Sequence, residues 1–492
     1  MAGGISSGTP GEASARSSIV TLINSSVGVG VLSLPYAFRA AGWVGGLALL
    51  AFVATVEAFT LYVLSRYAEH TDAVTYAIVV RRMLGPRASM FLAGVLMVYL
   101  FGSCVAYLII FGDCLHPLVL GALGDHWFTH RNAVLPFFSA VLMFPLCLPR
   151  TLDAIVGVSA VALYGIVAMV GIVTYRNAGI IAVEPSPWAE VQPFNVSLDA
   201  LAAVPIIIFG MQCHAQVITV FNELEERPRL VKNLFPSGLF RLRGSDEEED
   251  GAQDAVVEGV ADGTGAETES EAGPRQSGKS RKLRGMRRVV MAAIGLTAAG
   301  YSAIGLTGYL AFPHSAQSNI LNNFSRRDGL MQLCRALVGL MKVVSYPINH
   351  HPARTCTQDV VAALTGHRPD SAAFNFAHAA GFYLATLAVA LAVSDLGQVF
   401  KVVGGTNGAF LILGLPGALL MKYASDKALA SRIPLVVEQP LLVARGEAPP
   451  PRPYRLLTSK LWWAGLGLVG LCVGVLALTI VSIVYPMQPG GE

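Results

Sequence analysis

Two short stretches of this sequence put residues suited to polar chemistry where apolar ones are expected. In SSIVTLINSSVGVGVLSLPYAF, residues 17–38, Asn24, Ser25 and Ser26 precede Gly28 and Gly30, with Pro35 beyond. In LDALAAVPIIIFGMQCHAQVITVFNELEERP, Phe209, Gly210, Met211, Gln212, Cys213 and His214 follow Pro205. Both runs are apolar enough to enter a bilayer. A glycine costs about 1 kcal/mol relative to alanine inside a helix. Hydrocarbon offers no water to an opened backbone, so non-helical chain at that depth is tolerated where it is buried in protein or lines a cavity. The pattern therefore predicts two discontinuous helices, over 24–30 and 209–214, whose freed amides and carbonyls hold a polar solute. Close helix packing is the competing explanation for the glycines, and interhelical hydrogen bonding or packing for Gln212 and His214. Neither accounts for two breaks at corresponding places.

The elements that must position these stretches are membrane helices. The chain has 492 residues, 53% hydrophobic and 14% charged, with a mean hydropathy of +0.55; a soluble protein carries about 25% charged residues. Apolar runs recur over residues 17–40, 43–65, 88–113, 133–149, 152–175, 199–221, 288–312, 329–350, 372–394, 400–421 and 460–485, about eleven spans in all. With the amino terminus inside, the outer loops hold Arg39, Arg131, Arg176, Arg326, Arg327 and Lys401, span eight holds Arg335 and Lys342, and the rest of the 35 Lys and Arg fall in inner segments. That asymmetry sets the orientation. The sequons at Asn195 and Asn323 both fall on the outer side and are candidate glycosylation sites. The composition predicts an all-α polytopic membrane protein with its carboxyl terminus outside or in a lumen.

Spans one and six each open a set of five, giving a first five-helix repeat over 17–175 and a second over 199–421, after a short cytoplasmic segment, 1–16. Interrupted helices at corresponding positions of two halves point to an inverted-repeat binding site. The segment DAVTYAIVVRRMLG suggests an amphipathic helix on the inner surface. Residues 237–285 form an acidic-then-basic insert; its part 244–280 contains no aromatic residue and cannot bury enough surface to order itself. A cytoplasmic linker, 422–459, with several prolines, precedes the eleventh helix at 460–485. The seven cysteines are scattered, mostly in apolar runs, and suggest neither a disulfide framework nor a metal site.

SSVGVGVLSLPYAFRAAGW resembles the first-helix signature of the amino acid/auxin permease superfamily. MQCHAQVITVFNEL resembles VCHPxVLPIYxEL of its sodium-coupled neutral amino acid transporter branch, and PLCLPRTLD, GYLAF, NILNNFS and GGTNGAFLILGLPG are further matches. The resemblance covers residues 17 to 425. It implies a LeuT-type fold of inverted five-helix repeats and symport of an amino acid, with no enzymatic activity, no cofactor beyond a coupling ion, and no nucleic-acid partner. The family's first-helix Asn matches Asn24 and its Gly-x-Gly matches Gly28 and Gly30, so the resemblance implies that backbone around 25–30 holds the substrate carboxylate. Half-helix amino termini, with unpaired amides and a positive dipole end, agree with this. Carbonyls around Phe209 to Met211 would receive the ammonium, and Ser103, Tyr107 and Phe209 would bound the side-chain pocket.

The coupling ion is proton or sodium. Sodium-coupled relatives place hydroxyl residues of span eight opposite the first break. Here Lys342 stands near that level, with Ser345 the one hydroxyl close by. An uncompensated lysine in a membrane costs several kcal/mol, so it pairs or loses its proton. The expectation is that the Lys342 ammonium replaces sodium and the cycle runs on protons; a lysine that neutralises a nearby acid is the competing reading. Glu57 in span two is a candidate proton acceptor. A membrane sensor of amino acids, signalling through the 244–280 segment, is the alternative to a carrier. The histidines His350, His351, His367 and His378 lack metalloenzyme spacing. The membrane is the cell surface or a vacuole or lysosome.

Overall fold

The computed structural model describes residues 14–28, 30–149, 159–183, 190–195, 198–224, 273–430 and 459–484. Among them the regular structure is helical. The first stretch gives α1 (Ala15–Ser26), a 3-10 turn (Gly30–Ser33) and α2 (Leu34–Ala41). Then come α3 (Trp43–Thr71), α4 (Tyr76–Leu84), α5 (Pro86–Leu123), α6 (Arg131–Leu142) and α7 (Ser159–Val183). The second stretch gives α8 (Leu198–Met211) and α9 (His214–Glu223), followed by α10 (Gly273–Ala311), α11 (Gly329–Thr365) and α12 (Ala372–Ala392). Next, α13 (Leu396–Val403) passes through two π-helical segments, Gly404–Gly408 and Phe410–Gly414, into α14 (Leu415–Ala430); α15 (Lys460–Val484) is last.

Eight of these helical runs are long and apolar enough to cross a membrane, or nine when α1 and α2, bent by 52°, count as one. Helix α6 is apolar but short. Helix α11 has the length, and its Arg335, Lys342 and histidines keep it out of the apolar set. Several helices outrun their predicted limits. Pro86 opens α5 at the position where its missing N–H costs nothing, and Asp328 accepts from the amides of Leu330 and Met331 at the start of α11. Helix α10 begins at Gly273, so KSRKLRGMRR continues that helix; it is not the tail of an irregular insert. Residues 225–272, which hold most of the insert, and 431–458, most of the linker, lie outside the described residues.

Lys401 is not a loop residue. It lies in α13, 6% exposed, with its ammonium 5.8 Å from the ring centre of Tyr36. The π-helical stretch after it opens on two glycines that pack closely. A Cβ on Gly404 would strike the carbonyl oxygen of Pro205, and one on Gly405 would strike Thr479 of α15.

The loop between α10 and α11 is gripped from both sides. From α11, the guanidinium of Arg335, 1% exposed, donates to the carbonyls of Leu321 (2.8 Å), Phe324 (2.8 Å) and Ser325 (3.3 Å). From α5, Asp113 accepts from Asn319 (3.0 Å) and Asn322 (3.3 Å) and pairs with Arg131 at 3.4 Å. Asn323, a candidate glycosylation site, has its amide engaged both ways, donating to Ser315 O (2.7 Å) and accepting from Gln317 N (2.9 Å). Arg335 therefore acts as a loop anchor. Arg335→Met should lower stability by about 3 kcal/mol, the order expected for losing bonds from a buried charged donor. A lower thermal midpoint in detergent is the readout; an unchanged midpoint would refute the anchor.

Candidate functional site

Both predicted breaks are present, and both are narrower than expected. Helix α1 continues through Asn24, Ser25 and Ser26, so that Val27 and Gly28 are the described residues between it and the 3-10 turn that begins at Gly30. Helix α8 continues through Phe209, Gly210 and Met211, leaving Gln212 and Cys213 before α9. A helix end is decided by whether the next amides find partners, which glycine and serine content alone does not reveal.

The two weak points meet. A Cβ built on Gly30 would collide with Gly210 Cα and lie 3.0 Å from Gly210 N. Across this contact stands Tyr301 of α10, 1% exposed. Its hydroxyl lies 2.9 Å from the carbonyl oxygen of Ser26 and 2.6 Å from that of Gly210, so one phenol bridges the ends of both first half-helices. One turn earlier, Thr297 Oγ1 is 3.1 Å from Ser26 Oγ. One turn later, Gly305 and then Gly308 let Phe38 and Pro35 of α2 come close. This face of α10 thus supplies hydroxyls beside the break and bare backbone beside the helix that follows it. The sequence reading missed Tyr301. The signal was there as Thr297, Tyr301, Gly305 and Gly308 at helical spacing.

The second half of span six is capped from span two. Glu57, fully buried, accepts from the backbone N–H of Cys213 (3.1 Å) and from its thiol (3.5 Å), and lies 3.3 Å from His214 Nδ1. A carboxylate at the amino-terminal end of α9 is favoured by the helix dipole. His214, also fully buried, places Nε2 2.8 Å from Thr60 Oγ1. His214 therefore joins α9 to α3 and does not line an open cavity. Gln212 is 4% exposed, and its amide nitrogen has no hydrogen-bond partner among the described residues.

The span-three residues are placed otherwise than expected. Ser103 donates to Tyr99 O of its own helix (2.9 Å), and Tyr107 accepts from Asn349 of α11 (3.0 Å). It is Tyr99 whose ring meets Phe209, at 5.7 Å, while Phe400 stacks on the other side of Phe209 at 4.4 Å. Each four-residue step turns about 40° around a helix, which carries the face from Phe209 at Tyr99 to α11 at Tyr107. Lys342, 5% exposed, has its ammonium 5.3 Å from the Tyr107 ring centre and forms no ion pair among the described residues. Its contact is with α5, whereas α1 packs on α7, α9 and α10. Ser345 donates to Met341 O within its own helix (2.8 Å).

Nearby, a cleft of about 500 Å³ is lined by Tyr36, Arg39, Asp113, Arg131 and Asp395. The second half of the first span and the loop after α10 form part of its wall.

Comparison with known proteins matches residues 11–236 and 277–435 to the family described as transmembrane amino acid transporter protein. The unmatched interval falls within the acidic-then-basic stretch. The chain is 24% identical to sodium-coupled neutral amino acid transporter 7 of Danio rerio, over 84% of this chain and 79% of that one. It is 24% identical to vacuolar amino acid transporter 5 of Schizosaccharomyces pombe, over 96% and 94% respectively. A putative sodium-coupled neutral amino acid transporter 11 of Rattus norvegicus is 22% identical, over 85% and 79%.

Proposed function

Because this chain belongs to the transmembrane amino acid transporter protein family, we propose that it is a secondary active transporter, carrying neutral amino acids across a membrane by alternating access. The framework of the proposal is a LeuT-type pair of inverted five-helix repeats with an eleventh helix. The observation that carries it is the meeting of two interrupted helices at Gly30 and Gly210, with one hydroxyl on the carbonyls of both. Four half-helix ends converge in such an arrangement. The carbonyl ends of α1 and α8 attract an ammonium. Of the two amide ends, that of α9 is taken by Glu57, so the backbone around 25–30 remains for the carboxylate. Gln212, with an amide nitrogen to offer, and Phe209 complete the candidate lining.

A cation gradient drives the cycle in this reading, and protons are the favoured cation. Glu57 is the candidate acceptor, since it joins span two to the second break from a fully buried position. Lys342 is the cation that replaces sodium here, acting from the α5 side, where its ammonium meets the Tyr107 ring, and not from within the first break. The amino terminus is cytoplasmic, the membrane that of the cell surface or of a vacuole or lysosome, and Asn195 and Asn323 carry glycans on the opposite side.

The test is uptake of labelled neutral amino acids into proteoliposomes at two pH values, with and without sodium. Saturable uptake driven by a pH gradient in sodium-free buffer is expected. Lys342→Thr should reduce that uptake or make it respond to sodium. Collapse of wild-type transport without sodium would overturn the proton reading, and absence of saturable flux would leave a sensor.

A further inference from the structure

We infer that Tyr301 sets the amine selectivity of the carrier, its hydroxyl being the third acceptor for a primary ammonium. The inference rests on the transport reading above. Three oxygens cluster at the junction: Tyr301 Oη, with Ser26 O at 2.9 Å and Gly210 O at 2.6 Å. A phenol has one hydrogen and cannot fully satisfy two carbonyls. If that hydrogen goes to Gly210 O, the nearer acceptor, then Tyr301 Oη faces Ser26 O across 2.9 Å with no proton between them. Ser26 O already accepts from Gly28 N at 2.8 Å, which leaves it one lone pair. Two oxygens so close without a shared hydrogen repel, and an arriving N–H donor removes the conflict.

Both carbonyls also end half-helices, where the backbone dipole is negative. A primary ammonium has three N–H donors, one for each oxygen. An N-methylated amine has two, and the methyl group must go where the third oxygen stands. Position is fixed by packing: the Tyr301 ring lies 3.4 Å from where a Cβ on Gly210 would sit, and the residue is almost fully buried. Thr297 bonds to the side chain of Ser26, not to either carbonyl, so on this face of α10 Tyr301 is the hydroxyl that joins them.

The experiment uses the full chain in proteoliposomes, with labelled L-alanine, L-leucine and L-glutamine, each beside its N-methyl and N,N-dimethyl derivative. Wild-type protein should favour the primary amine, with stepwise losses for one and two methyl groups. Tyr301→Phe leaves two carbonyls for two N–H donors. Its kcat/KM for primary amines should fall about tenfold, the value of one hydrogen bond to a charged group, while N-methyl substrates lose much less. Tyr309→Phe removes another hydroxyl of α10, one that accepts from Gln192 N at 3.0 Å away from the breaks, and should leave the selectivity ratio alone. Equal losses for both substrate classes in Tyr301→Phe, or a gain, would overturn the inference while transport stands. Should that variant fail to fold, the wild-type series decides: a flat series overturns the inference and a stepped one sustains it. No uptake of any amino acid by wild-type protein would remove the transport reading, and this one with it.

Discussion

Alanine at position 30 is expected to abolish uptake, and alanine at position 210 to spare most of it, although the two glycines touch. A methyl group on Gly30 points at Gly210 Cα and comes within 3.0 Å of its nitrogen. What it meets is main chain, which cannot rotate aside, so the two half-helices must separate. A methyl group on Gly210 points elsewhere, meeting the Tyr301 ring at 3.4 Å and Gly30 Cα at 3.6 Å, both ordinary contacts. Overpacking a close contact costs about 1–3 kcal/mol and more where the backbone must move. Parting the breaks also takes the Ser26 and Gly210 carbonyls away from their common hydroxyl. Initial uptake rates, normalised to protein in the membrane, read the difference. Wild-type rates from Gly30→Ala would mean that the two helices do not touch in the working protein.

Glu57→Gln is expected to cut uptake by more than tenfold with little loss of folded protein, whereas Glu57→Ala should lose both. Glutamine keeps an oxygen for the Cys213 amide and cannot take up or release a proton. Its NH2 group would stand where Glu57 Oε2 has no hydrogen-bond partner among the described residues, so it enters as a buried unpaired donor. Alanine leaves the Cys213 N–H without its acceptor, in a place closed to water. A buried donor left without its acceptor costs about 1–3 kcal/mol. Thermal unfolding and uptake, measured on the same preparations, separate the two roles. If Glu57→Gln transports normally, the carboxylate is only a helix cap; if both substitutions unfold the protein equally, its part in coupling has no support.

Much of this arrangement was legible in the sequence because membrane helices are written in long apolar runs, and because glycine beside serine, asparagine or glutamine has few other reasons to stand in mid-membrane. The residues flanking each weak point were therefore found. Their widths are not legible: the Ser26 and Gly210 carbonyls find a tertiary partner in Tyr301 that no local pattern announces. The chemistry and spacing of Ser103 and Tyr107 point to them as pocket residues, yet which face of α5 turns toward Phe209 is set by tertiary packing, and that brings Tyr99 there. Lys401 read as a loop charge because charges usually are; the ring of Tyr36 and the packing of α13 accommodate it inside. Tyr301 was overlooked since a tyrosine in an apolar run is most often a packing residue.

The glycine-lined π-helical stretch of the tenth run has a mechanical consequence. Helices usually lock by seating side-chain ridges in facing grooves, and shifting one past another means unseating every ridge. Where Gly404 lies against the Pro205 carbonyl the contact is with main chain, and Gly405 leaves a hollow in which Thr479 of α15 sits. At Gly404 the fit leaves no room for a side chain, so an added methyl group acts as grit, forcing α8 away from the π-helical stretch.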